Sequence, residues 1–264
     1  MGKKLNNAPV YYTVAQVQFN PILNLEGFLP AIQAKMREKR FPDFRQEVFP
    51  RLVLPFGGME QGQMAGPTVS QQSRYVFGDM DGRARFFLET NALSIQTTAY
   101  QTFDAFSAIL LEGLSILHEA IRLDFVERIG LRYLDAVLPT KEGESLKEFL
   151  VPGVLGLALR GEGELLHSMS ETVVMTSAGQ LVSRVLIRNG VVGLPIELAG
   201  TAPSIDPRFT QRVGLHAILD TDASYTHREA FDLGVVGGRL FELHKEISKS
   251  FKATVTEYAE SVWA

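Results

Sequence analysis

The segment H-A-I-L-D-T-D-A-S contains the residues best suited to chemistry, and its alternating polarity predicts a β-strand over residues 216–224. Successive side chains of a strand point to opposite faces, so His216, Asp220 and Asp222 share one face. An imidazole beside two carboxylates can hold a divalent cation, or supply an acid and a base. An acidic strand face exposed to solvent gives the same pattern, as does an Asp222 that begins a turn. His216, Asp220 and Asp222 are therefore candidate metal ligands.

A second polar strip lies on the strand predicted over residues 126–138. Arg128 and Arg132 share one face of this strand, with Gly130 between them. Two arginines beside an acidic strand can form ion pairs that balance the charges of an open sheet face. They can also bind an anion, because a guanidinium group matches phosphate and carboxylate. We favour the ion-pair interpretation. The candidate binding residues are Arg128, Arg132, Tyr133, Asp220 and Asp222.

The sequence contains an internal repeat with a shift of 126 residues. The pattern L-x-x-L-H-x-x-I-x-x-x-F begins at Leu114 and again at Leu240, and a tyrosine and a phenylalanine upstream recur with a shift of 125. Two amphipathic helices share apolar spacings in any case, but amphipathicity does not require the matching histidine. We predict a single pseudo-two-fold domain over 1–264, with halves at about 8–124 and 125–260.

The repeat places His118 and His244 at equivalent positions of two predicted helices. Two interpretations are open, a symmetric functional pair and a pair of boundary residues. A histidine beside a leucine stripe more often bonds one ring nitrogen to solvent or backbone. We favour the second interpretation.

The composition and the missing motifs exclude several chemistries. The chain of 264 residues contains no cysteine, which excludes disulfides, thiolate zinc sites and cysteine nucleophiles. The motifs G-x-x-x-x-G-K-[ST], G-x-S-x-G and H-E-x-x-H are also missing. A net charge of -4 argues against a protein that coats nucleic acid. We expect no nucleic-acid partner and no cofactor, with a divalent metal as the alternative.

The sequence gives no sign of membrane insertion. The segment M-G-K-K-L-N-N-A-P lacks the apolar core of a signal peptide, and no uninterrupted apolar run approaches the length of a membrane-spanning helix. Hydrophobic residues make up 45% of the chain and charged residues 21%, which is typical of globular proteins. We expect a cytoplasmic protein.

The first half is predicted to contain a strand, a helix, three strands and a long helix. Residues 41–72 are rich in proline and glycine, so we predict a long loop there, with one short strand around 52–56. The other elements predicted for this half are strands over 10–19, 74–79, 83–90 and 93–99 and helices over 25–39 and 103–122.

The second half is predicted to repeat this order. Ser145 is a suitable N-cap for a short helix, and a second loop is predicted over 190–210. The elements predicted for this half are strands over 126–138, 166–176, 181–188 and 216–224 and helices over 146–150 and 231–258.

These elements predict an α+β fold. Each antiparallel sheet must cover one apolar face, and each long helix must bury one apolar stripe. The simplest solution is a tandem duplication of a strand–helix–three strands–long helix unit, forming one antiparallel curved sheet with the long helices on one face. Its element order resembles the saddle of the TATA-box-binding protein or a helix-grip sheet.

Three segments resemble a sporadically distributed family of uncharacterised bacterial proteins of about this length. They are the N-terminal N-N-A-P-V, the G-L-R-Y-L-D at 130–135 and the L-D-T-D-A-S-Y at 219–225. Family members begin with a short N-x-A-P segment, carry a central G-L-R-Y segment and end with a similar helix. The resemblance implies a bacterial, cytoplasmic setting and transfers no activity and no catalytic residue.

The sequence favours a non-enzymatic binding or interaction protein. No catalytic signature is present, and the sheet face without long helices is available to a partner, together with the loops at 41–72 and 190–210. We expect another protein as the partner, encoded nearby, for example in a defence or toxin-control module. A homodimer is also compatible with the sequence.

Two alternative functions stay open. The first is a small-ligand-binding protein with a pocket between sheet and helices, indicated by an aromatic cluster that can equally be core. The second is a metal-dependent enzyme that uses the acidic strand face. The aromatic residues are Tyr75, Phe77, Phe86 and Phe87.

Overall fold

The computed structural model describes residues 7–53, 68–200 and 202–264. These residues form an α+β fold around one antiparallel sheet of nine strands, which confirms the predicted class. The strands are β1 (Val10–Phe19), β2 (Asp43–Val53), β3 (Thr68–Gly78), β4 (Ala84–Glu89), β5 (Ala92–Thr97), β6 (Phe125–Val137), β7 (His167–Thr176), β8 (Gly179–Val191) and β9 (Val213–Ala230).

Two long helices and several short ones accompany the sheet. None of the helices in the described ranges is long and apolar enough to cross a membrane. The helices are α1 (Leu29–Glu38), preceded by a 3-10 turn (Leu25–Phe28), α2 (Phe103–Ile121), α3 (Leu146–Phe149), α4 (Pro152–Leu155), α5 (Ile196–Ala199), α6 (Pro207–Thr210), α7 (Leu233–Thr254) and α8 (Glu257–Trp263).

The strand order divides the sheet between the two halves of the chain. The order is β2-β3-β4-β5-β1-β6-β9-β8-β7, so β1 and β6 lie side by side at the centre. Strands β2 to β5 extend from β1, and strands β9, β8 and β7 extend from β6. Within the sheet, the two sets of strands therefore meet at the β1–β6 pair.

The main apolar core lies between the sheet and helices α1, α2 and α7. Ala15, Val17 and Phe19 alternate toward this core along β1, and each is almost fully buried. The apolar stripe of α2, which includes Leu110 and Leu114, covers them from the other side. Each large apolar side chain buried in this way contributes about 1.5–3 kcal/mol.

Two smaller apolar clusters complete the interior. In one, Phe149 of α3 packs against Trp263 of α8, with ring centroids 6.0 Å apart. The other lies on the opposite face of the sheet, where Phe209 packs against Tyr11 with centroids 5.6 Å apart. Phe209 belongs to residues 192–200 and 202–212, which we call the covering segment. One end of the face without long helices is therefore covered.

Residues 43–53 form a strand, although the sequence predicted a loop there. β2 pairs with β3 from Asp43 opposite Gly78 to Val53 opposite Thr68. Proline 50 is compatible with this strand because β2 is an edge strand, which forms a ladder on one side. The short strand predicted around 52–56 lies partly outside the described residues.

The last predicted helix is divided in two. α7 ends at Thr254, and Val255 is extended and bridges to Leu150. The side chain of Thr256 then caps α8. The apolar period continues across this break, so periodicity gives no signal of it. β9 also continues to Ala230, beyond the predicted end at 224, so Asp222 does not begin a turn.

Gly113→Ala should destabilise the protein, although alanine has a higher helix propensity than glycine. A Cβ at this position would lie 2.6 Å from Cε1 of Phe86, and that buried ring packs against Phe41 with centroids 4.8 Å apart. Overpacking of this kind costs about 1–3 kcal/mol. Urea unfolding at equilibrium measures the change in the free energy of unfolding.

The same substitution at Gly238 is the matched control. No atom lies within 4 Å of a Cβ built there, in the middle of α7. Gly238→Ala should therefore stabilise the protein by about 0.5–1 kcal/mol. Equal effects at Gly113 and Gly238 would contradict the close approach of α2 to the sheet.

Candidate binding face

The face of the sheet opposite α1, α2 and α7, which we call the open face, carries a row of polar residues at its centre. Ser94, Gln16, Gly130 and Ser224 lie opposite one another on β5, β1, β6 and β9. Gln180 of β8 continues this central row. The central row therefore offers hydrogen-bonding groups without net charge.

Arg128 lies across the central row. A Cβ built on Gly130 would be 2.8 Å from Nη1 of Arg128, so the missing side chain at 130 makes room for the guanidinium group. Nη1 donates one long hydrogen bond, of 3.5 Å, to Oε1 of Gln16. Among the described residues, no carboxylate oxygen lies within 4.0 Å of Arg128. Its other donors therefore have no hydrogen-bond partner among the described residues.

Arg132 is fully engaged within the sheet. Its Nε and Nη2 each donate to a carboxylate oxygen of Asp220 at 2.7 Å, and Asp220 is almost fully buried. Nη2 also contacts Glu197 at 3.0 Å. Arg184 of β8 extends the network, at 3.6 Å from Asp220 and 2.5 Å from Glu171. Arg132 and Asp220 therefore fit the ion-pair interpretation.

Asp222 lies opposite Arg132 in the β6–β9 ladder but forms no ion pair with the described residues. Burial raises the pKa of Asp222, and the positive charges of Arg128 and Arg132 oppose that rise. The carboxylate thus lies within the electrostatic influence of both arginines without a direct bond to either. The four residues Arg128, Arg132, Asp220 and Asp222 share the open face.

Tyr133 lies on the other side of the sheet, in the main core. Its hydroxyl donates to the hydroxyl of Tyr100 at 3.2 Å and lies 3.3 Å from Nδ1 of His244. The structure therefore separates Tyr133 from the other four candidate binding residues.

The geometry offers no support for the predicted metal ligands. His216 is buried, its Nδ1 lies 3.0 Å from the carbonyl of Gly214, and Nε2 has no partner. Burial lowers the pKa of His216. Four residues of strand separate it from Asp220, about 13 Å. Within the described ranges, no three His, Asp or Glu side chains are grouped to hold a metal ion.

The covering segment borders the open face. Glu197 reaches Arg132, and the hydroxyl of Thr98 donates to the carbonyl of Ser204 at 2.7 Å. The N–H of Ser204 donates to the carbonyl of Gly82 at 3.3 Å. The covering segment therefore lies against the sheet, and its outer side exposes Ile196.

The two histidines of the repeat have structural contacts. The ring of His118 stacks on Phe231 with centroids 4.6 Å apart, and its Nδ1 accepts from the N–H of Leu123. The ring of His244 stacks on Phe103 with centroids 4.2 Å apart. Each histidine of one long helix thus contacts an aromatic ring at the start of the other. His118, bonded to a backbone N–H, fits the interpretation as a boundary residue, whereas Nδ1 of His244 lies beside the hydroxyl of the buried Tyr133.

Asp135 is a titratable residue that the sequence analysis missed. It is 8% exposed, and none of the described side-chain hydrogen bonds or ion pairs involves its carboxylate. Burial raises its pKa to about 7. A signal was present, because Asp135 falls in phase with Leu131 and Tyr133 on the core side of β6.

Gln96 was also missed. It is 8% exposed on β5, opposite Val14, and its Oε1 has no hydrogen-bond partner in the described part of the chain. A neutral amide within an alternating strand belongs to no motif, so the sequence carries no signal for it.

No protein-family model and no curated protein sequence matches the chain. The resemblance to the sporadically distributed bacterial family stays a prediction from three short segments.

Asp135→Asn should reduce the decrease in the free energy of unfolding that the wild type shows as the pH rises. Folding raises the pKa of Asp135 from 3.8 to about 7, so the folded state binds the proton more strongly. Protonated Asp135 therefore contributes to the free energy of unfolding, and this contribution is fully present below pH 3.8. It decreases by about 1.4 kcal/mol per pH unit above pH 3.8 and is lost as the pH rises through 7. Urea unfolding at pH 5 and pH 8 should show a smaller decrease for the variant than for the wild type.

Asp124→Asn, at an exposed carboxylate, is the control and should keep the wild-type pH dependence. The assignment to Asp135 is refuted if its Asn variant loses as much stability between the two pH values as the wild type does.

Proposed function

We propose that the protein is a non-enzymatic binding protein that engages another protein through the open face. The observation that carries this proposal is Arg128, a half-buried arginine held over Gly130 without a carboxylate partner in the described residues. Buried charges in proteins are normally paired. A carboxylate from a partner protein would complete the pairing of Arg128.

The central row defines the chemistry of this partner. Gln16, Ser94 and Ser224 can donate or accept hydrogen bonds, and none of them carries a charge. Asp222, which has no ion pair in the described residues, gives the β9 side of Arg128 a negative character, so the acidic group of the partner approaches from the side of β1. The partner segment is therefore mainly neutral and polar, with a single carboxylate.

The element order supports the tandem duplication that the sequence predicts. β1, β5, β4 and β3 correspond in order to β6, β9, β8 and β7, and α2 and α7 each follow the strand next to the centre. The reciprocal stacking of His118 on Phe231 and of His244 on Phe103 supports the same assignment. We infer a pseudo-two-fold saddle-like or helix-grip-like sheet, with the binding site next to its axis.

The resemblance supports a bacterial, cytoplasmic setting for this activity. In that setting the partner is the product of a neighbouring gene, for example a component of a defence or toxin-control module.

Arg128→Gln should weaken capture of the partner by at least tenfold. Loss of a charged hydrogen bond at a buried contact costs about 2 kcal/mol or more. The tagged protein is purified from its own host, and native mass spectrometry measures the fraction that carries a stoichiometric second protein. Circular dichroism and thermal unfolding establish that the variant is folded.

Arg37→Gln is the matched control, because Arg37 is exposed on α1, on the other side of the sheet. This variant changes the net charge equally and should retain the partner. Retention of the partner by Arg128→Gln, or equal loss in both variants, would exclude the open face as the binding surface.

A second candidate function, the binding of a small amphipathic ligand, is favoured by a cleft of about 360 Å³ between β7, β8 and α7. Its volume lies within the range of ligand pockets. The aromatic residues that suggested a pocket are buried elsewhere, in β3 and β4. Hydroxyl groups line the cleft beside apolar side chains, from Ser170, Thr172, Thr176, Ser183, Ser250 and Thr254.

A ligand in this cleft should add a few hundred daltons to the native mass of the protein purified from its host. Ser183→Leu fills the cleft and should remove that added mass, because the leucine side chain occupies the ligand's volume. Ser107→Leu, on α2, should retain it. Native mass equal to that of the bare chain in gently purified wild-type protein would exclude this function.

A further inference from the structure

The two edges of the sheet differ in how they are protected from pairing. β2 forms one edge and carries Asp43, Arg45 and Glu47 in alternation, followed by a proline at 50. Charged side chains and proline are the usual means of preventing edge-to-edge pairing. β7 forms the other edge and contains neither proline nor a series of charges.

Exposed apolar side chains follow β7 along its length. Met169, Val173 and Met175 lie on the open face and are 62%, 51% and 76% exposed. Val174, on the opposite face, is 42% exposed. Exposed apolar side chains grouped along one strand in this way, with Glu171 between Met169 and Val173, mark interaction surfaces in soluble proteins.

The backbone of β7 is suited to pairing. Its ladder with β8 runs without a bulge from His167 opposite Arg188 to Thr176 opposite Gly179. No strand of the described chain pairs with its outer side. The outward N–H and C=O groups can therefore pair with another extended strand.

Glu171 is the single carboxylate on β7, and Arg184 neutralises it. Nε of Arg184 donates to Oε2 of Glu171 at 2.5 Å, from the neighbouring strand. The charge that would otherwise repel an approaching strand is thus compensated within the chain.

We propose that two copies of this chain pair through β7, antiparallel, about a two-fold axis at Thr172. This register places Met169 opposite Met175 and Glu171 opposite Val173 of the second copy. An axis at Glu171 would instead place two carboxylates opposite each other, which is destabilising. An axis at Thr172 avoids this contact between like charges. In the dimer, the sheets of the two copies form one continuous sheet.

The absence of cysteine in the chain allows a direct test of this register. Residues directly opposite in an antiparallel pair have Cα atoms about 4.5–5.5 Å apart, within disulfide range. Thr172→Cys should therefore oxidise to a disulfide-linked dimer on non-reducing gels. Ser170→Cys, off the axis, and Val48→Cys, exposed on β2, should form no disulfide-linked dimer on the same gels.

Analytical ultracentrifugation tests the pairing without a cross-link. The wild type should sediment as a dimer, and Thr172→Lys as a folded monomer, because the two lysines would lie directly opposite each other at the axis. Val48→Lys and Arg128→Gln should stay dimeric, so this proposal fails independently of the proposed function. A monomeric wild type, a dimeric Thr172→Lys or equal cross-linking at 170 and 172 would overturn it, as would a different protein paired with β7.

Discussion

The pairing of β1 with β6 is the interaction on which the rest of the structure depends. This ladder joins a strand from the beginning of the chain to one from its middle, and every other strand is added outward from it. Its register places Ala15 opposite Leu131 in the core and Gln16 opposite Gly130 on the open face. A shift of one residue in either strand would exchange the two faces. One register therefore determines both the core and the open face.

The two arginines of the open face differ in their bonding partners. Arg128 and Arg132 are four residues apart on the same strand and look equivalent in the sequence. Arg132 has Asp220 and Glu197 within bonding distance, whereas Arg128 has one long bond to Gln16. The difference depends on which side chains the neighbouring strands bring into reach, so strand alternation alone does not reveal it.

Periodicity predicts most of the fold because most elements have one buried face. The alternation around Val17 and the stripe around Leu110 fix β1 and α2, and both agree with the structure. Periodicity does not predict an element whose position depends on the sheet edge or on a contact with a distant residue. β2 contains Pro50, which an edge position accommodates, and the break at Val255 depends on a bridge to a distant residue.

Periodicity also predicts part of the candidate site, because alternation assigns strand residues to a face. Alternation places Asp220 and Asp222 on one face correctly, but the position of the covering segment over the sheet arises from long-range contacts such as Tyr11 with Phe209. Alternation along β5 also places Gln96 on the open face, but the sequence gives no sign that it is buried. Asp135 lies in phase with the apolar residues of β6, so the polar alternation that marks Arg128 and Arg132 does not include it.

The covering segment has a mechanical consequence for recognition. It comes from the second half of the chain but is bonded to Gly82 and Thr98 of the first half, and Arg83 approaches Asp206 at 3.5 Å. These contacts join the two sets of strands a second time, in addition to the β1–β6 ladder. A preorganised surface loses little conformational entropy when it binds. In the proposed binding function, a preorganised face of this kind would select a partner by shape before it selects it by charge.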